Sequence, residues 1–351
     1  MKNLPAAVEM CCLRSATRAA VVPSAAWLVF GLLLVLFLAT GSLLIGVRPV
    51  ALPVALDALF SYDPGLPDHL VIRGYRLPRT LLAILCGAAF GVSGALIQAA
   101  TRNPLADPGI LGVNAGAAFF VTLAVGVLGW RSIEASLWSA FLGAIVVTLM
   151  VQALGMVGRI GATPLRLVLA GVALSAVLGG LGSAVTLLDP ASFDALRQWS
   201  VGSVAGRDMQ VVLAVAPFIG AGLVVALAAA RPLNAVALGE ELARSLGADV
   251  LKARILVVIA VTLLAGAATA AAGPIGFVGL MVPHAVRWFV GPDQRWIVVL
   301  TMIFSPVLLL AADIAGRIVV RPGEVEAGIV TAFLGAPVLI LLARRRKAGG
   351  L

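Results

Sequence analysis

Long apolar runs separated by short polar loops make up most of the chain. A helix needs roughly 20 apolar residues to cross a bilayer core. Ten runs approach or exceed that length, near residues 26–47, 80–100, 109–129, 134–157, 165–188, 210–230, 253–272, 275–290, 296–314 and 327–343. We therefore predict an all-α integral membrane protein of about ten transmembrane helices. Residues 26–346 form one membrane domain in this interpretation, and residues 1–25 precede it as a cytoplasmic segment.

Two of these runs allow a second interpretation. The first run could belong to a signal peptide, but the apolar part of such a peptide has only about 7–15 residues, whereas this run has 22. We favour a retained first helix. The run at 275–290 is short and flanked by glycine, so it could form only half a span.

Basic residues favour one orientation of this bundle, because cytoplasmic loops collect Lys and Arg. With ten helices and the N-terminus inside, sixteen of the 25 basic residues fall in inside loops, and residues 344–347 form the densest cluster. Both termini are therefore expected in the cytoplasm. The nine residues left outside are Arg48, Arg73, Arg76, Arg79, Arg131, Arg197, Arg207, Arg317 and Arg321.

Composition supports a lipid environment and excludes several classes. Hydrophobic residues make up 61% of the chain and charged residues 12%, about half the share in a soluble domain. Disorder, a fibre and an ordinary soluble enzyme are therefore excluded. The net charge of +9 comes from scattered residues without aromatic interleaving, so we expect no nucleic-acid partner. The spacing of Cys11, Cys12 and Cys86 fits neither a disulfide framework nor a metal site.

Charged groups are absent from the centres of the runs. Asp313 lies near the end of one run and can pair with Arg317 at i,i+4. Because proton- and sodium-coupled transporters usually carry intramembrane charges, the pattern disfavours an ion-coupled secondary transporter, although backbone carbonyls can also hold sodium.

No enzyme signature accompanies these helices. A phosphate-binding P-loop needs Gly-Lys-Ser/Thr, and Lys2, Lys252 and Lys347 all lie in other contexts. We predict a non-enzyme with no catalytic residue, metal or cofactor. If ATP drives this chain, another subunit binds the nucleotide.

Small residues are frequent within the runs. Gly87–Gly91 and Gly112–Gly116 have GxxxG spacing, which lets helices approach closely. In the fifth run, a candidate pathway wall consists of Gly171, Ser175, Gly179 and Gly182. Tight helix packing is the competing explanation for this set.

The loop between the sixth and seventh runs contains a candidate docking helix. Leucines recur at i,i+4 from Leu238, with charged residues on the other side and a glycine as a plausible stop. The segment at about 238–250 is predicted to contact a cytoplasmic partner through Gly239, Glu240, Glu241, Leu242, Arg244, Leu246 and Gly247. A helix lying on lipid headgroups is the alternative.

Several motifs resemble the permease subunits of the FecCD-type family, which belong to ABC importers of iron siderophores, haem and cobalamin. The resemblance covers residues 27–346. It is carried by Arg76-Leu-Pro-Arg-Thr80, Gly94-Ala-Leu-Ile-Gln98, the long motif at 101–116, the 238–249 loop, Gly273 to His284, and Arg321-Pro-Gly-Glu324.

This resemblance implies the fold and the partners. It implies ten helices in two inverted five-helix halves, a second permease subunit (identical or paralogous), two P-loop ATPase subunits, and an external or periplasmic substrate-binding protein. Runs 165–188 and 327–343 would flank the pathway in the bacterial cytoplasmic membrane. The motif at 101–116 is most similar to that of ferric-siderophore members, with haem or cobalamin as alternatives.

The resemblance also assigns a role to the outer arginines. Arg76, Arg79 and Arg317 match positions that receive acidic residues of the binding protein, while Arg73 and Arg321 are neighbours. Exposed charge pairs of this kind mainly set orientation and association rate. Snorkelling of Arg76 and Arg79 to lipid headgroups is the alternative.

Overall fold

A computed structural model describes residues 24–46, 48–156, 164–245 and 247–348, which form thirteen α-helices. In chain order they are α1 Ser24–Leu44, α2 Leu52–Phe60, α3 Pro67–Thr101, α4 Val113–Gly126, α5 Ile133–Met156, α6 Pro164–Leu188, α7 Pro190–Ser200, α8 Met209–Ala237, α9 Glu240–Ser245, α10 Val250–Ala272, α11 Val278–Val290, α12 Gln294–Val319 and α13 Ala327–Ala348. Helix α3 includes a π-helical turn at Ile72–Arg76.

Each of the ten predicted apolar runs coincides with one of these helices. Seven are long and apolar enough to cross a membrane, namely α1, α3, α5, α6, α8, α10 and α12. The other three, α4, α11 and the apolar part of α13, are shorter. The structure thus confirms an all-helical membrane fold and finds three apolar helical segments of only 10–17 residues.

Helix α4 is shorter than the predicted run at 109–129 because its N-terminal part folds differently. Asp107 accepts a hydrogen bond from the Gly109 N–H at 2.7 Å and starts a short 3₁₀ helix, Pro108–Leu111. Gly112 then has φ +77°, a conformation that favours glycine. Helix α4 can therefore begin only at Val113.

Burial separates central from peripheral helices. In the most apolar window of α3, 83% of the residues are buried, and in that of α10 72%. The corresponding share in α1 and α6 is only 11%. Helices α3 and α10 thus form the centre of this chain, while α1 and α6 present large apolar faces to lipid or to another subunit.

Glycines allow the central helices to touch, as the GxxxG spacing predicts. A Cβ atom at Gly116 would collide with the carbonyl oxygen of Gly143 on α5, and one at Gly87 would lie 2.7 Å from the Cα atom of Pro306 on α12. Backbones in such close contact gain dispersion energy, the main packing term between helices in lipid.

Helix directions place two groups of loops at opposite ends of the bundle. Helix α3 passes through Arg76 and ends next to Arg102, about 39 Å away at 1.5 Å per residue. Helix α12 runs the other way and brings Asp313, near its C-terminal end, to Arg79 of α3. We call this the arginine end, and we call the opposite end, which carries α9, the α9 end.

Candidate functional site

An ion-pair network joins α3, α12 and the turn before α13 at the arginine end. The guanidinium of Arg79 contacts Asp313 at 2.8 Å and Glu324 at 2.7 Å. Asp313 also pairs with Arg317, which confirms the i,i+4 pair predicted from the sequence. Asp313 and Arg317 are each 1% exposed. Since a buried charge is costly without a partner, this network holds the three elements together.

Two of the three predicted docking arginines bind the C-terminal end of α1. Arg317 donates to the carbonyl oxygens of Ser42 at 2.7 Å and Ile45 at 3.0 Å, and Arg76 donates to that of Leu43 at 2.7 Å. A helix C-terminus has unpaired carbonyls and a partial negative charge, so cations are favourable there. Arg76 and Arg317 therefore form the C-terminal cap of α1.

The structure brings Arg76, Arg79 and Arg317 together around a cavity of about 350 Å³. We call it the arginine cavity. It is lined by Gly46, Arg48, Val71, Tyr75, Arg76, Arg79, Gly206, Arg317 and Glu324. The docking role of the three arginines stays a prediction, and their contacts add a structural role.

The neighbouring arginines differ in their surroundings. Arg48 lies in the cavity wall and is highly exposed, with Asp68 at 3.8 Å. Arg73 lies outside the wall, donates to the Leu59 carbonyl oxygen at 2.9 Å and stacks on the ring of Tyr62. Arg321 is exposed on the α12–α13 turn.

Sequence reasoning paired Asp313 with Arg317 but missed the contacts of Asp313 and Glu324 with Arg79. Asp313 and Glu324 meet Arg79 from positions more than 230 residues away. One signal for these contacts was available. The apolar run after Arg79 begins, and the run that contains Asp313 ends, on the side of the membrane predicted to be outside.

Helix α9 confirms the short helix predicted in the 238–250 segment, and it exposes the predicted leucines. Leu238 is 62% exposed and Leu242 48%, while Ala243 is fully buried between α8 and α10. Gly239 and Gly247 have positive φ on either side of the helix, so both bends favour glycine. Leu246 and the side chain of Glu240 lie outside the described residues.

A second cavity, of about 400 Å³, lies beside α9. We call it the α9 cavity. Its wall combines the residue that follows α3 with residues from the α8–α9 junction and from α9, namely Arg102, Leu238, Gly239, Glu241 and Leu242. Arg102 was not predicted here; it ends α3 in the left-handed conformation at φ 51°. The site therefore consists of exposed leucines beside a cavity whose wall contains one basic and one acidic residue.

The base of the α9 end is held by a cap between α8 and α12. Asp293 starts α12, accepting from the Arg295 N–H at 3.0 Å and from the amide of Asn234 at 2.8 Å. The Asn234 bond, followed by the Arg295 N–H, holds the pKa of Asp293 below its usual range. The carboxylate thus remains charged where it caps the positive end of α12.

The four candidate pathway residues on α6 have different surroundings. Gly171 packs against the carbonyl oxygen of Ile110, and Gly182 is also buried. Ser175 is half-buried, whereas Gly179 is exposed with open space around its Cα atom. Tight packing accounts for Gly171, and a pathway role for the set stays a prediction.

The long apolar helices, with charged groups gathered at the two ends, define a multi-pass helical membrane protein. The chain belongs to the FecCD transport family, whose model matches residues 19–345. The resemblance stated from the motifs is thereby confirmed.

Three similar proteins sharpen this assignment. The ferric enterobactin transport system permease protein FepD of Escherichia coli (strain K12) is 47% identical, over 95% of this chain and 98% of its own. The hemin transport system permease protein HmuU of Yersinia pestis is 34% identical, over 91% and 96%. An inward-facing structure of a metal-chelate type ABC transporter superposes with a TM-score of 0.80 at 29% identity, over 91% of this chain and 99% of that one.

Proposed function

We propose that this chain is the membrane permease subunit of an ATP-driven importer of ferric siderophores. The observation that carries the proposal is the 47% identity to a ferric enterobactin permease along nearly the full length of both chains. Haem is the second candidate substrate, because the hemin permease is also a full-length relative, at 34% identity.

The topology we propose has ten crossings in the bacterial cytoplasmic membrane, in two inverted five-helix halves. The short helices α4 and α11, and the short apolar part of α13, would complete their crossings with adjoining loops or charged ends. The arginine end would face outward and the α9 end the cytoplasm, with both termini. The excess of basic residues in the predicted inside loops supports this orientation.

We propose that α9 couples the chain to a separate ATPase subunit. Two exposed leucines beside a cavity are the geometry of a knob that enters a groove on a partner. Glycine bends on both sides let the helix move as a small unit against α8 and α10. ATP binding in the partner would press on α9 and tilt these helices, while this chain contributes no nucleotide site.

The arginine end would receive the substrate-binding protein. Arg79 is the most suitable contact of the predicted three, because its side chain is 13% exposed. The guanidinium groups of Arg76 and Arg317 already donate hydrogen bonds to carbonyl oxygens at the end of α1. In this proposal Arg79 contacts the partner, and Arg76 and Arg317 keep the cavity wall in place.

The second permease subunit would cover the apolar faces of α6 and α13. Exposed residues on these helices include Val172, Val177, Leu181, Phe333 and Leu334. Gly179 lies on the exposed side of α6 and is the candidate pathway residue that the geometry favours.

Transport in proteoliposomes tests the function. The chain is purified with its copurifying subunits, reconstituted with ATP inside, and supplied outside with binding protein and radiolabelled ferric enterobactin, a ferric hydroxamate or haem. We expect ATP-dependent uptake of a ferric siderophore, and none when the P-loop lysine of the ATPase is replaced. Uptake of haem alone would favour the second candidate, and uptake without ATP would favour an ion-coupled transporter.

A further inference from the structure

Arg79 holds two carboxylates that differ in accessibility. Asp313 contacts one side of the guanidinium and is 1% exposed, so it is fixed within the bundle. Glu324 contacts the other side at 2.7 Å, and 34% of its side chain is exposed. It lies on the turn between α12 and α13, which also forms a backbone hydrogen bond from Val325 to Gly316 at 3.0 Å. Asp313 is thus a permanent partner of Arg79, whereas Glu324 can leave.

The arginine cavity has a surplus of positive charge. Four arginines line it, and among the described residues of its wall Glu324 alone is acidic. A volume of about 350 Å³ admits a side chain from outside. Because an arginine guanidinium binds carboxylates in a planar, two-pronged geometry, the group that suits this cavity is an acidic side chain.

We propose that Glu324 is a built-in occupant of this site, which an acidic side chain of the substrate-binding protein displaces from Arg79 on docking. The proposal rests on the docking role of the arginine end under the proposed function, and it goes further by naming an exchange. One carboxylate replaces another on the same guanidinium, so the Arg79 contact adds little net affinity. Docking therefore stays weak enough to reverse in each transport cycle.

The exchange of carboxylates on Arg79 also affects the turn before α13. Glu324 is three residues before Ala327, where α13 begins. When Glu324 leaves Arg79, the turn loses that tie to α3 while its backbone bond to Gly316 stays in place. Occupancy of the cavity is thereby communicated to a helix that we propose flanks the pathway.

The test is Glu324→Gln, with Glu326→Gln as the matched control. Glu326 is exposed on the same turn and carries the same charge, but it forms no ion pair with any arginine that the structure describes. Binding of the host's substrate-binding protein to the complete transporter in nanodiscs is measured by surface plasmon resonance at several salt concentrations. We expect Glu324→Gln to tighten docking by about two- to fivefold, mostly through a faster association rate. Glu326→Gln should change docking much less.

Docking that is unchanged or weaker in Glu324→Gln would overturn the exchange. Arg79→Glu separates this failure from that of the proposed docking site, because a carboxylate at this position repels the incoming acidic side chain, while Asp313 keeps Arg317 as a partner. If Arg79→Glu docks normally, the docking site itself is wrong. A third variant, Glu324→Asp, keeps the charge but is one methylene shorter, and it should fall between wild type and Glu324→Gln. Thermal unfolding of each variant checks that the bundle is intact.

Discussion

Arg317 and Leu242 lie at opposite ends of one bundle, and their surroundings differ in kind. Arg317 is a charged residue at 1% exposure, bound to a carboxylate and to the carbonyls of α1. Leu242 is an apolar residue at 48% exposure, beside an open cavity. Each arrangement reverses the usual distribution of polar and apolar side chains.

The difference shows at which end the side chains find their partners within this chain. At the arginine end the buried charges find partners within the chain, so the network stabilises the fold without any other protein. At the α9 end, exposed leucines gain nothing from the folded chain alone. A protein partner or lipid headgroups would cover them, and our proposal places the ATPase there.

Replacing an aspartate by asparagine at each end tests this comparison most strongly. Asp313→Asn leaves Arg79 and Arg317 without their shared counterion and should lower the free energy of unfolding by about 3–5 kcal/mol. Asp249→Asn at the α9 end should cost less than about 0.5 kcal/mol, because asparagine caps a helix as well as aspartate does. Equilibrium unfolding in detergent, followed by tryptophan fluorescence, measures both. If Asp313→Asn lowers the free energy of unfolding as little as Asp249→Asn does, the arginine network does not stabilise the fold.

Replacing one serine at each end by alanine tests the same comparison with a smaller expected effect. The Ser42 hydroxyl accepts from Arg317 at 3.0 Å and bonds Thr80 at 2.8 Å, all within the buried network. Ser42→Ala should therefore cost about 1 kcal/mol of unfolding free energy. Ser245 donates only to the Leu242 carbonyl on the surface, so Ser245→Ala should have almost no effect. The same unfolding experiment decides, and an equal cost at both positions would contradict the comparison.

Local patterns predicted the parts of the molecule that depend on nearby residues. Hydropathy located all ten apolar helices, and i,i+4 spacing paired Asp313 with Arg317. The i,i+4 leucines and the glycine stop around 238–249 predicted a short helix that the structure contains. Each of these features depends on residues within a few turns of one another, so the sequence order carries the information.

Features that join distant segments were not predictable from the same patterns. Arg76 was assigned to docking from a motif, yet its guanidinium reaches back to carbonyls at the end of α1. Arg102 and Leu238 share a cavity because α3 and α8 end at the same side of the bundle. Such contacts are set by helix packing, on which a single sequence has no local signal.

Leu242→Asp is the substitution with the smallest expected effect on the chain itself. The side chain is already half exposed, so the free energy of unfolding should change by less than about 0.5 kcal/mol. The same change places a charge on the proposed knob and should release the ATPase during purification. Leu82→Asp is the matched control, since Leu82 is fully buried in α3 and its replacement should unfold the chain. If the ATPase still copurifies in full stoichiometry with Leu242→Asp, α9 is not the coupling helix, and the exposed leucines must rest on lipid instead.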